Sequence, residues 1–386
     1  MTEVVVAQTA ARDREAGAVL GRQIMAELAE PADALIVFAS PGNDYAALLE
    51  SLAEATGTQT ILGCSTAGEF TGDASGQGLT NVTAIRSPDM RFTAAVGTDL
   101  GDPQTAARSI AHRFRGDQNA GFPFRAALVL LDALAGHAEE LVDALTVETA
   151  GTYRFFGGGA GDDARFQKTF VFCGTEVYSN AAVALEILSK KPLGIGARHG
   201  WQPTGPALRV TEAEASLVVS LNAAHAVEAF EDHAASTAQR FDQNDPMPFF
   251  LHNIVGVDTD SGHKLRVPLG ISSGGIVCAA EIPAGATTHI MSTGAGSAAD
   301  AAAEATRDAV QQVTREGGTP KAALFFDCVA TRLRLGQQFD KELDAVSAAL
   351  GGIPFAGFNS YGQVVRAEGQ FSGFHNCTAV VCVLPE

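Results

Sequence analysis

Three glycine-rich stretches carry polar side chains at matching places, and they are the strongest candidates for a ligand site. They read GCSTAGEF from Gly63, GGGAGD from Gly157 and GFNSYGQV from Gly357. Glycine lets the backbone approach a bound molecule closely, and hydroxyl, amide and carboxyl groups supply directed hydrogen bonds. The residues predicted to bind a ligand here are Cys64, Ser65, Thr66, Gly68, Glu69, Gly158, Gly159, Asp162, Asn359, Ser360 and Tyr361.

These stretches do not match a phosphate-binding loop. The Lys-Ser/Thr pair of the nucleotide fingerprint is missing, and Asp162 and Asp163 would repel a phosphate. Nucleotide hydrolysis is therefore not predicted. Each stretch alone could simply be a tight turn, but three aligned copies favour a shared pocket or a pseudo-symmetric interface.

Cys64 is the one candidate nucleophile among these residues. A reactive thiolate needs a neighbouring base, and no histidine lies near this turn within its own repeat. A small buried turn residue is the favoured interpretation. A cysteine-dependent hydrolase is kept as the last of the alternatives, and no catalytic residue is predicted.

Two histidine settings could bind a cofactor or an anion. Arg198 and His199 stand in ARHGW beside the only tryptophan, and His375 and Asn376 stand in GFHNCT. An imidazole there could be a metal ligand or a hydrogen-bond donor, and a strand-end histidine bonded to the backbone is the simpler interpretation. No clustered metal-binding motif is present, so no structural metal is predicted. The remaining histidines with no distinctive setting are predicted on the surface or in loops: His225, His233, His252, His263 and His289.

The elements that position these turns form an internal repeat. Residues 34–69 align without a gap with residues 127–162, an offset of 93, and residues 63–70 align with residues 357–364, an offset of 294. Each copy has a short apolar run, then apolar residues at i, i+3, i+4 and i+7, then a second apolar run that enters the turn. This order predicts a βαβ unit with parallel strands.

Each copy is also preceded by an alanine-rich helix and followed by a β-branched strand. The predicted fold is α/β, with repeated βαβ-type units that form mixed sheets flanked by helices, in two domains with internal pseudo-repeats. Residues 1–200 are predicted to hold two repeats. Residues 201–386 are predicted to hold a β-rich insert and the third repeat, with the boundary after Trp201 marked by Pro203, Gly205 and Pro206.

Composition narrows the class of partner. The net charge is −18, which disfavours nucleic acid and anionic lipid. No apolar stretch reaches the length of a membrane span, and the first residues do not look like a secretion signal. A cytoplasmic location is predicted. The six cysteines form no CxxC pair and are expected to be free thiols.

Five motifs in order resemble the FIST family, with its N-terminal domain in the first half and its C-terminal domain from Trp201 onward. They are GCSTAGEF at 63, GGGAGDD at 157, GIGARHGWQPTG at 194, LFFDCVATRLRLG at 324, and IPFAGFNSYGQV with FHNCT between 353 and 378. One departure is Gln363, where the family usually has Glu, and it argues against a role that needs a third carboxylate.

The resemblance implies a sensory protein for small ligands such as amino acids or similar metabolites. No output domain follows in the sequence, so a separate partner such as a histidine kinase or a cyclic-di-GMP enzyme is expected to receive the signal. Some relatives resemble haem-binding nitric-oxide sensors, and haem is therefore the alternative cofactor, with His199 or His375 as its axial ligand. The binding hypothesis places the ligand between the glycine turns.

Overall fold

The computed structural model describes residues 1–294, 296–367 and 372–386. The elements of the first half are β1 (Glu3–Thr9), α1 (Asp13–Glu27), β2 (Ala34–Ala39), α2 (Tyr45–Thr56), β3 (Ile61–Ser65), β4 (Glu69–Thr71), β5 (Ser75–Gly76), β6 (Thr80–Arg86), β7 (Met90–Thr98), α3 (Pro103–Ala111), β8 (Phe124–Leu131), α4 (Ala138–Glu148), β9 (Arg154–Gly159), β10 (Val171–Cys173), β11 (Glu176–Tyr178), β12 (Ala181–Ser189) and β13 (Gly194–Arg198).

The second half contains the predicted β-rich insert and then the third repeat. Its elements are β14 (Gln202–Pro203), β15 (Leu208–Glu214), β16 (Leu217–Leu221), β17 (Ala224–His225), α5 (Ala226–Thr237), α6 (Met247–Phe250), β18 (Ile254–Thr259), β19 (Gly262–Arg266), β20 (Pro268–Ser272), β21 (Gly275–Cys278), β22 (Thr287–Ser292), α7 (Ser297–Arg315), β23 (Pro320–Cys328), α8 (Val329–Leu335), α9 (Asp340–Leu350), β24 (Phe355–Ser360), β25 (Gln363–Arg366), β26 (Ser372–His375) and β27 (Ala379–Pro385).

The predicted repeat is confirmed as three six-stranded mixed sheets of equivalent order. They run β1-β6-β2-β3-β10-β11, β7-β12-β8-β9-β25-β26 and β13-β27-β23-β24-β4-β5. Each contains one parallel pair, which is β2 with β3, β8 with β9, or β23 with β24. Because β13 pairs with β27, the third sheet begins before the insert. The division at residue 200/201 stays a prediction.

Each sheet is completed by a hairpin from a different repeat. The hairpin β4–β5 of the first repeat joins the third sheet, β10–β11 of the second joins the first sheet, and β25–β26 of the third joins the second sheet. The pairing of Phe70 with Gly357 shows why glycine is needed, because a Cβ at Gly357 would lie 2.4 Å from the Phe70 ring. The three repeats are therefore interlocked in a closed cycle.

The three sheets pack around one shared core, and helices cover their outer faces. A phenylalanine from each repeat meets there, since the Phe326 ring lies 5.9 Å from Phe38 and 6.1 Å from Phe156, and all three are fully buried. The outer pairs of helices are α1 with α2, α3 with α4, and α7 with α9, and each pair covers its own sheet with a separate apolar cluster.

The insert, from β14 to β22, is an antiparallel sheet with its own aromatic core under α5 and α6. A partly buried ion cluster ties it to the rest of the molecule. Glu139 of α4 accepts from Lys264 at 2.5 Å and from Arg266 at 3.0 Å, and Arg266 also donates to the Phe374 carbonyl at 2.8 Å. Within the described residues, no helix is long and apolar enough to cross a membrane.

We expect Phe70→Ala to destabilise the third sheet although Phe70 belongs to the first repeat. The Phe70 ring packs 5.3 Å from Phe325 and 5.8 Å from Phe339, and its removal leaves a cavity that costs about 3–5 kcal/mol. Urea unfolding measures the loss, and hydrogen exchange should show faster opening of β23 and β24. Val147→Ala is the exposed control. Faster exchange confined to β2 and β3 would contradict the interlock.

Candidate functional site

The three predicted glycine turns meet at one place, and main-chain hydrogen bonds join each turn to the other two. We call residues 65–69, 158–163 and 359–363 the turn cluster. The joining bonds are Gly161 N to Ser65 O (2.8 Å), Asp163 N to Thr66 O (3.1 Å), Gly159 N to Gly362 O (2.8 Å), Tyr361 N to Gly159 O (3.0 Å), Ala67 N to Asn359 O (3.0 Å) and Asn359 N to Gly68 O (2.8 Å).

Two glycines show why the motif requires this residue. A Cβ at Gly161 would lie 2.6 Å from the Ala67 nitrogen, so a side chain there would push two turns apart. Gly68 has φ +128°, a conformation that side chains rarely adopt, and the Arg332 guanidinium occupies the space beside it. The glycines thus allow the turns to touch each other.

The turns are packed together rather than separated by a cleft. The predicted ligand-binding residues Cys64, Ser65, Thr66, Glu69, Asp162, Asn359, Ser360 and Tyr361 are all no more than 7% exposed. A ligand between the turns would have to separate them and break their mutual hydrogen bonds. That these residues bind a ligand stays a prediction, and among them only Tyr361 also lines the groove described below.

Equivalent positions of the three turns anchor the chain that follows each turn. Glu69 Oε2 accepts from Leu79 N at 3.0 Å, Asp162 accepts from three successive amides that begin at Phe166, and Gln363 Oε1 accepts from Thr378 N at 3.2 Å. The amide of Gln363 therefore does the same work as the two carboxyls. This explains why the departure from Glu is tolerated at that turn.

Glu69 is a buried carboxyl that retains its proton at neutral pH. Burial raises the pKa of Glu69 to about 8, although hydrogen bonds from the Thr66 hydroxyl and the Leu79 amide oppose that rise. Gln363 and Ser360 make the corresponding contact in the third turn, where Gln363 Nε2 donates to Ser360 Oγ at 2.8 Å. A neutral side chain thus occupies this place in both turns.

Asp162, by contrast, remains ionised. Burial raises the pKa of Asp162, but the Tyr361 hydroxyl and the backbone amides of Lys168, Gln167 and Phe166 donate to it, and they hold the pKa below its ordinary value. Its charge fixes the loop that carries Phe166, whose ring stacks on Tyr361 with centroids 4.5 Å apart.

A groove with about 60 Å³ of space, lined mainly by apolar side chains, lies beside the turn cluster. We call it the apolar groove. A water molecule needs about 10–15 Å³ by the same measure, so the groove holds a molecule of a few non-hydrogen atoms. Its walls are Ala133, Leu134, Phe166, Met247, Leu251, Val267, Leu269, Ala279, Cys328, Val329, Ala330, Leu333, Tyr361 and Asn376.

The mouth of the apolar groove exposes apolar side chains to solvent. Leu134, Phe166, Leu269 and Leu333 are 37–43% exposed, and all four line it. Among the described residues, the only other large hydrophobic side chains with comparable exposure are Met1 and Val147. Exposed apolar side chains gathered at one opening are typical of a binding site.

Two cysteines separate the apolar groove from a smaller polar cavity. Cys328 lines the groove, Cys377 lines the smaller cavity of about 10 Å³, and Cys377 donates a hydrogen bond that lowers the pKa of Cys328 to about 7. Asp327 and Glu342 also line the smaller cavity, and burial raises the pKa of both, to about 8 for Glu342. Sequence spacing gave no signal for this pair, because 49 residues separate the two cysteines.

Cys64 has none of the features of a nucleophile. It is fully buried in β3, and burial followed by the nearby Glu69 raises its pKa well above the ordinary range. A thiol in this setting keeps its proton, so the geometry gives no support to the cysteine-hydrolase alternative.

The two candidate haem ligands do not fit that role in this arrangement. His199 uses both ring nitrogens, with Nε2 3.2 Å from the His263 carbonyl and Nδ1 accepting from Trp201 N at 3.3 Å. Burial lowers the pKa of His199 to about 4, so the ring is neutral. His375 is 1% exposed, with Nε2 3.3 Å from the Ser372 carbonyl. The cavity beside His199 has about 10 Å³, which is room for no more than about one water molecule.

The remaining residues that the sequence predicted as ligand-binding are not part of the turn cluster. Arg198 and His199 line the small polar cavity, and Asn376 lines the apolar groove. The prediction that His233 lies on the surface or in a loop is wrong, because it is buried in α5 and bonds to Asn253 Oδ1 at 3.0 Å. His263 and His289 lie in strands and are partly buried.

Family models match most of the chain. The FIST N domain matches residues 33–224 and the FIST C domain matches residues 226–366. A comparison with curated proteins found no match.

Solved structures with similarity have low scores. Cyanuric acid hydrolase aligns over 100% of both chains at 8% identity with a TM-score of 0.35. PurLQS from Thermotoga maritima aligns over 100% of this chain and 72% of that chain, at 13% identity and a TM-score of 0.23. At such scores these similarities support no argument about fold or function.

We expect Glu69→Gln to change how stability depends on pH. Folded Glu69 keeps its proton up to about pH 8, whereas an exposed glutamate loses it near its ordinary pKa of about 4.3. The folded state binds the extra proton between these values, so wild-type stability falls as pH rises through this window. Gln removes that fall and should be the more stable protein at pH 8. Urea unfolding from pH 5 to 9 checks this, with exposed Glu27→Gln as control. If the free energy of unfolding changed with pH in the same way in the wild type and in Glu69→Gln, the expectation would be wrong.

We expect Asp162→Ala to cost about 1–3 kcal/mol, because the amides of residues 166–168 lose their shared acceptor. Tyr361→Phe removes one donor and should cost less, about 1 kcal/mol. Ionised Asp162 stabilises the fold fully at pH values above the pKa that Asp162 has in the unfolded chain. This stabilisation is lost as the pH falls through the lower pKa that Asp162 has in the folded protein. Urea unfolding at pH 7 and pH 3 measures both variants. Equal losses in the two variants at pH 7 would argue against the anchoring role.

Proposed function

Because this chain belongs to the FIST family, whose domains are small-ligand sensory domains in signalling, we propose that it is a sensor for a small, uncharged and largely apolar molecule. The apolar groove is the proposed site. The single observation that carries this proposal is that the exposed apolar side chains Leu134, Phe166, Leu269 and Leu333 all converge on this one cavity.

The chemistry of the groove walls supports an uncharged ligand. No lysine, arginine, histidine, aspartate or glutamate occurs among the residues that line it, and its polar groups are the Asn376 amide, the Tyr361 ring and the Cys328 sulfur. A charged ligand would lose its hydration there without gaining a counter-ion, which is costly. An apolar molecule with one hydrogen-bonding group suits the walls and the Asn376 amide.

Amino acids are the second ligand class, from the family resemblance. A free amino acid carries an ammonium and a carboxylate, and the groove offers neither a partner. We therefore rank uncharged aromatic and aliphatic molecules above amino acids as ligands of the apolar groove.

The position of the groove supports a way to pass the signal on. Met247, Leu251 and Val267 of the insert line part of the groove, and residues of α8 together with Tyr361 of the turn cluster line another part. A ligand that touches both walls favours the arrangement in which they are close, and differential affinity of this kind is all that a switch requires. Asn376 joins the two parts as well, because its Oδ1 accepts from Val267 N at 3.3 Å.

The proposed output is a separate partner protein in the cytoplasm. A histidine kinase or a cyclic-di-GMP enzyme is the class that the family resemblance supports. The changing distance between the insert and the three-sheet body would be what such a partner detects.

The only tryptophan gives a direct test of binding. Trp201 is 4% exposed and packs in the same apolar cluster as Cys328, Ala330 and Val267, which line the groove. We expect small uncharged, non-fluorescent molecules such as hexanol or cyclohexanol to change its fluorescence, and we expect free amino acids to have a weaker effect.

Variants at the groove mouth locate the site. Leu333→Asp and Leu134→Asp place a charge at exposed rim positions, and each should weaken hexanol binding at least about tenfold, or 1.4 kcal/mol. Val147→Asp is the matched control, since Val147 is 76% exposed and does not line the groove. If all three variants bind hexanol like the wild type, or if neither alcohol binds the wild type, the groove is not the sensor site.

A further inference from the structure

Two histidines and one aspartate converge on one face of the insert sheet. Asp258 Oδ1 lies 3.3 Å from His263 Nε2 and 3.3 Å from His289 Nε2. The three ligand atoms all lie within 4.8 Å of one another. The two imidazole rings stand nearly perpendicular, at 87°, so their nitrogens approach the carboxylate from different directions.

Neighbouring strands hold these side chains in place. Asp258 of β18 pairs directly with His263 of β19, and on the other side of β18 Gly256 pairs with His289 of β22. Gly256 and Asp258 are two residues apart, so their side-chain positions share one face of the sheet. The backbone ladder thus sets the spacing of the three groups before any ion binds.

We propose that Asp258, His263 and His289 form a binding site for a divalent transition-metal ion, with Zn²⁺ as the best fit. A tetrahedral zinc site with bonds of about 2.0–2.1 Å has ligand-to-ligand edges of about 3.3 Å. Two of the three edges here already have that length. Two imidazoles and one carboxylate are a donor set that suits zinc, iron, nickel and copper and does not suit magnesium or calcium.

The site leaves room for a ligand from solution. The Asp258 side chain is 41% exposed, and those of His263 and His289 are 26% and 17% exposed. An ion held by three protein groups on a partly exposed face of the sheet keeps a fourth position for water or for a small anion, as open zinc sites do.

The contacts around the three side chains determine how tightly we expect Zn²⁺ to bind and which neighbouring part of the molecule it would stabilise. His289 Nδ1 is buried and has no hydrogen-bond partner among the described residues. Lack of such an outer partner typically costs about 10–100-fold in metal affinity, so micromolar binding is expected rather than nanomolar. The His263 carbonyl contacts His199 of the three-sheet body, so an ion at His263 would also steady this junction.

The chain offers a built-in comparison site. His137, Glu140 and Glu281 form the other group of potential ligands among the described residues. Glu140 and Glu281 interact with each other, and burial followed by the Glu140 charge raises the pKa of Glu281. One imidazole and two carboxyls are a poorer set for zinc, so His137→Gln is the matched control.

Isothermal titration of the chelator-treated full-length protein with ZnCl₂ tests the proposal. We expect one equivalent of Zn²⁺ in the wild type and in His137→Gln. Binding should weaken at least about tenfold in each of His263→Gln, His289→Gln and Asp258→Asn, since loss of a direct ligand costs no less than loss of an outer partner. Co²⁺ should give visible absorption bands typical of low coordination number, and these bands should be lost in the same three variants.

Thermal unfolding of each metal-free variant shows whether it is folded, and the exposure of Asp258 makes Asp258→Asn the variant least disturbing to the fold. Three results would each overturn the proposal. These results are that the wild type binds no Zn²⁺, that the folded variants of the three ligands keep wild-type affinity for Zn²⁺, or that His137→Gln loses the bound equivalent of Zn²⁺ while the three ligand variants keep it. Weaker Zn²⁺ binding at acid pH is also expected, because histidine must lose its proton to bind metal.

Discussion

The exchange of hairpins between the three repeats is the constraint on which the rest of the molecule depends. No repeat can complete its sheet alone, because the strand that pairs with β3, β9 or β24 always comes from another repeat. Each exchanged hairpin follows its glycine turn directly or after a short loop. The three turns must therefore meet, and six main-chain hydrogen bonds between them satisfy groups that would otherwise be buried without partners.

In this arrangement the equivalent polar residues of the three turns and the apolar groove have different roles. Glu69, Asp162 and Gln363 hold the chain after each turn, and their side chains are occupied by backbone amides. The space for a ligand lies beside the turns, where the insert meets α8. The turn cluster is then a rigid base, and the apolar groove is the part of the molecule that a ligand could change.

Much of the fold could be predicted from sequence, because an apolar strand, an amphipathic helix and a glycine turn each have a local pattern. The offsets of 93 and 294 residues gave the three βαβ units. The hairpin exchange could not be predicted, since a strand of three residues such as β4 carries no information about which sheet edge it joins. The pairing of β13 with β27 could not be predicted for the same reason, because the two strands are far apart in the sequence and neither carries a local signal for its partner.

The candidate sites could be predicted only in part, and the reason is again physical. The aligned copies favoured a shared place for the three turns, but the turns follow strands of three separate sheets, and the hairpin exchange that brings them together has no local signal. The apolar groove combines residues from 133 to 376, most of them of ordinary apolar type, and no spacing marks them. The proposed metal site forms because β22 pairs with β18, and the chain positions of its residues do not reveal this pairing. These residues are Asp258, His263 and His289.

The order in which the chain is synthesised gives the hairpin exchange a further meaning. The first sheet receives its last strands, β10 and β11, by residue 178, so it can close while the second half is still being translated. The second sheet waits for β25 and β26 near the C-terminus, and until they arrive β9 presents an open edge able to pair with another nascent chain. Slow or interrupted translation of the last repeat would thus endanger the middle of the protein more than its beginning.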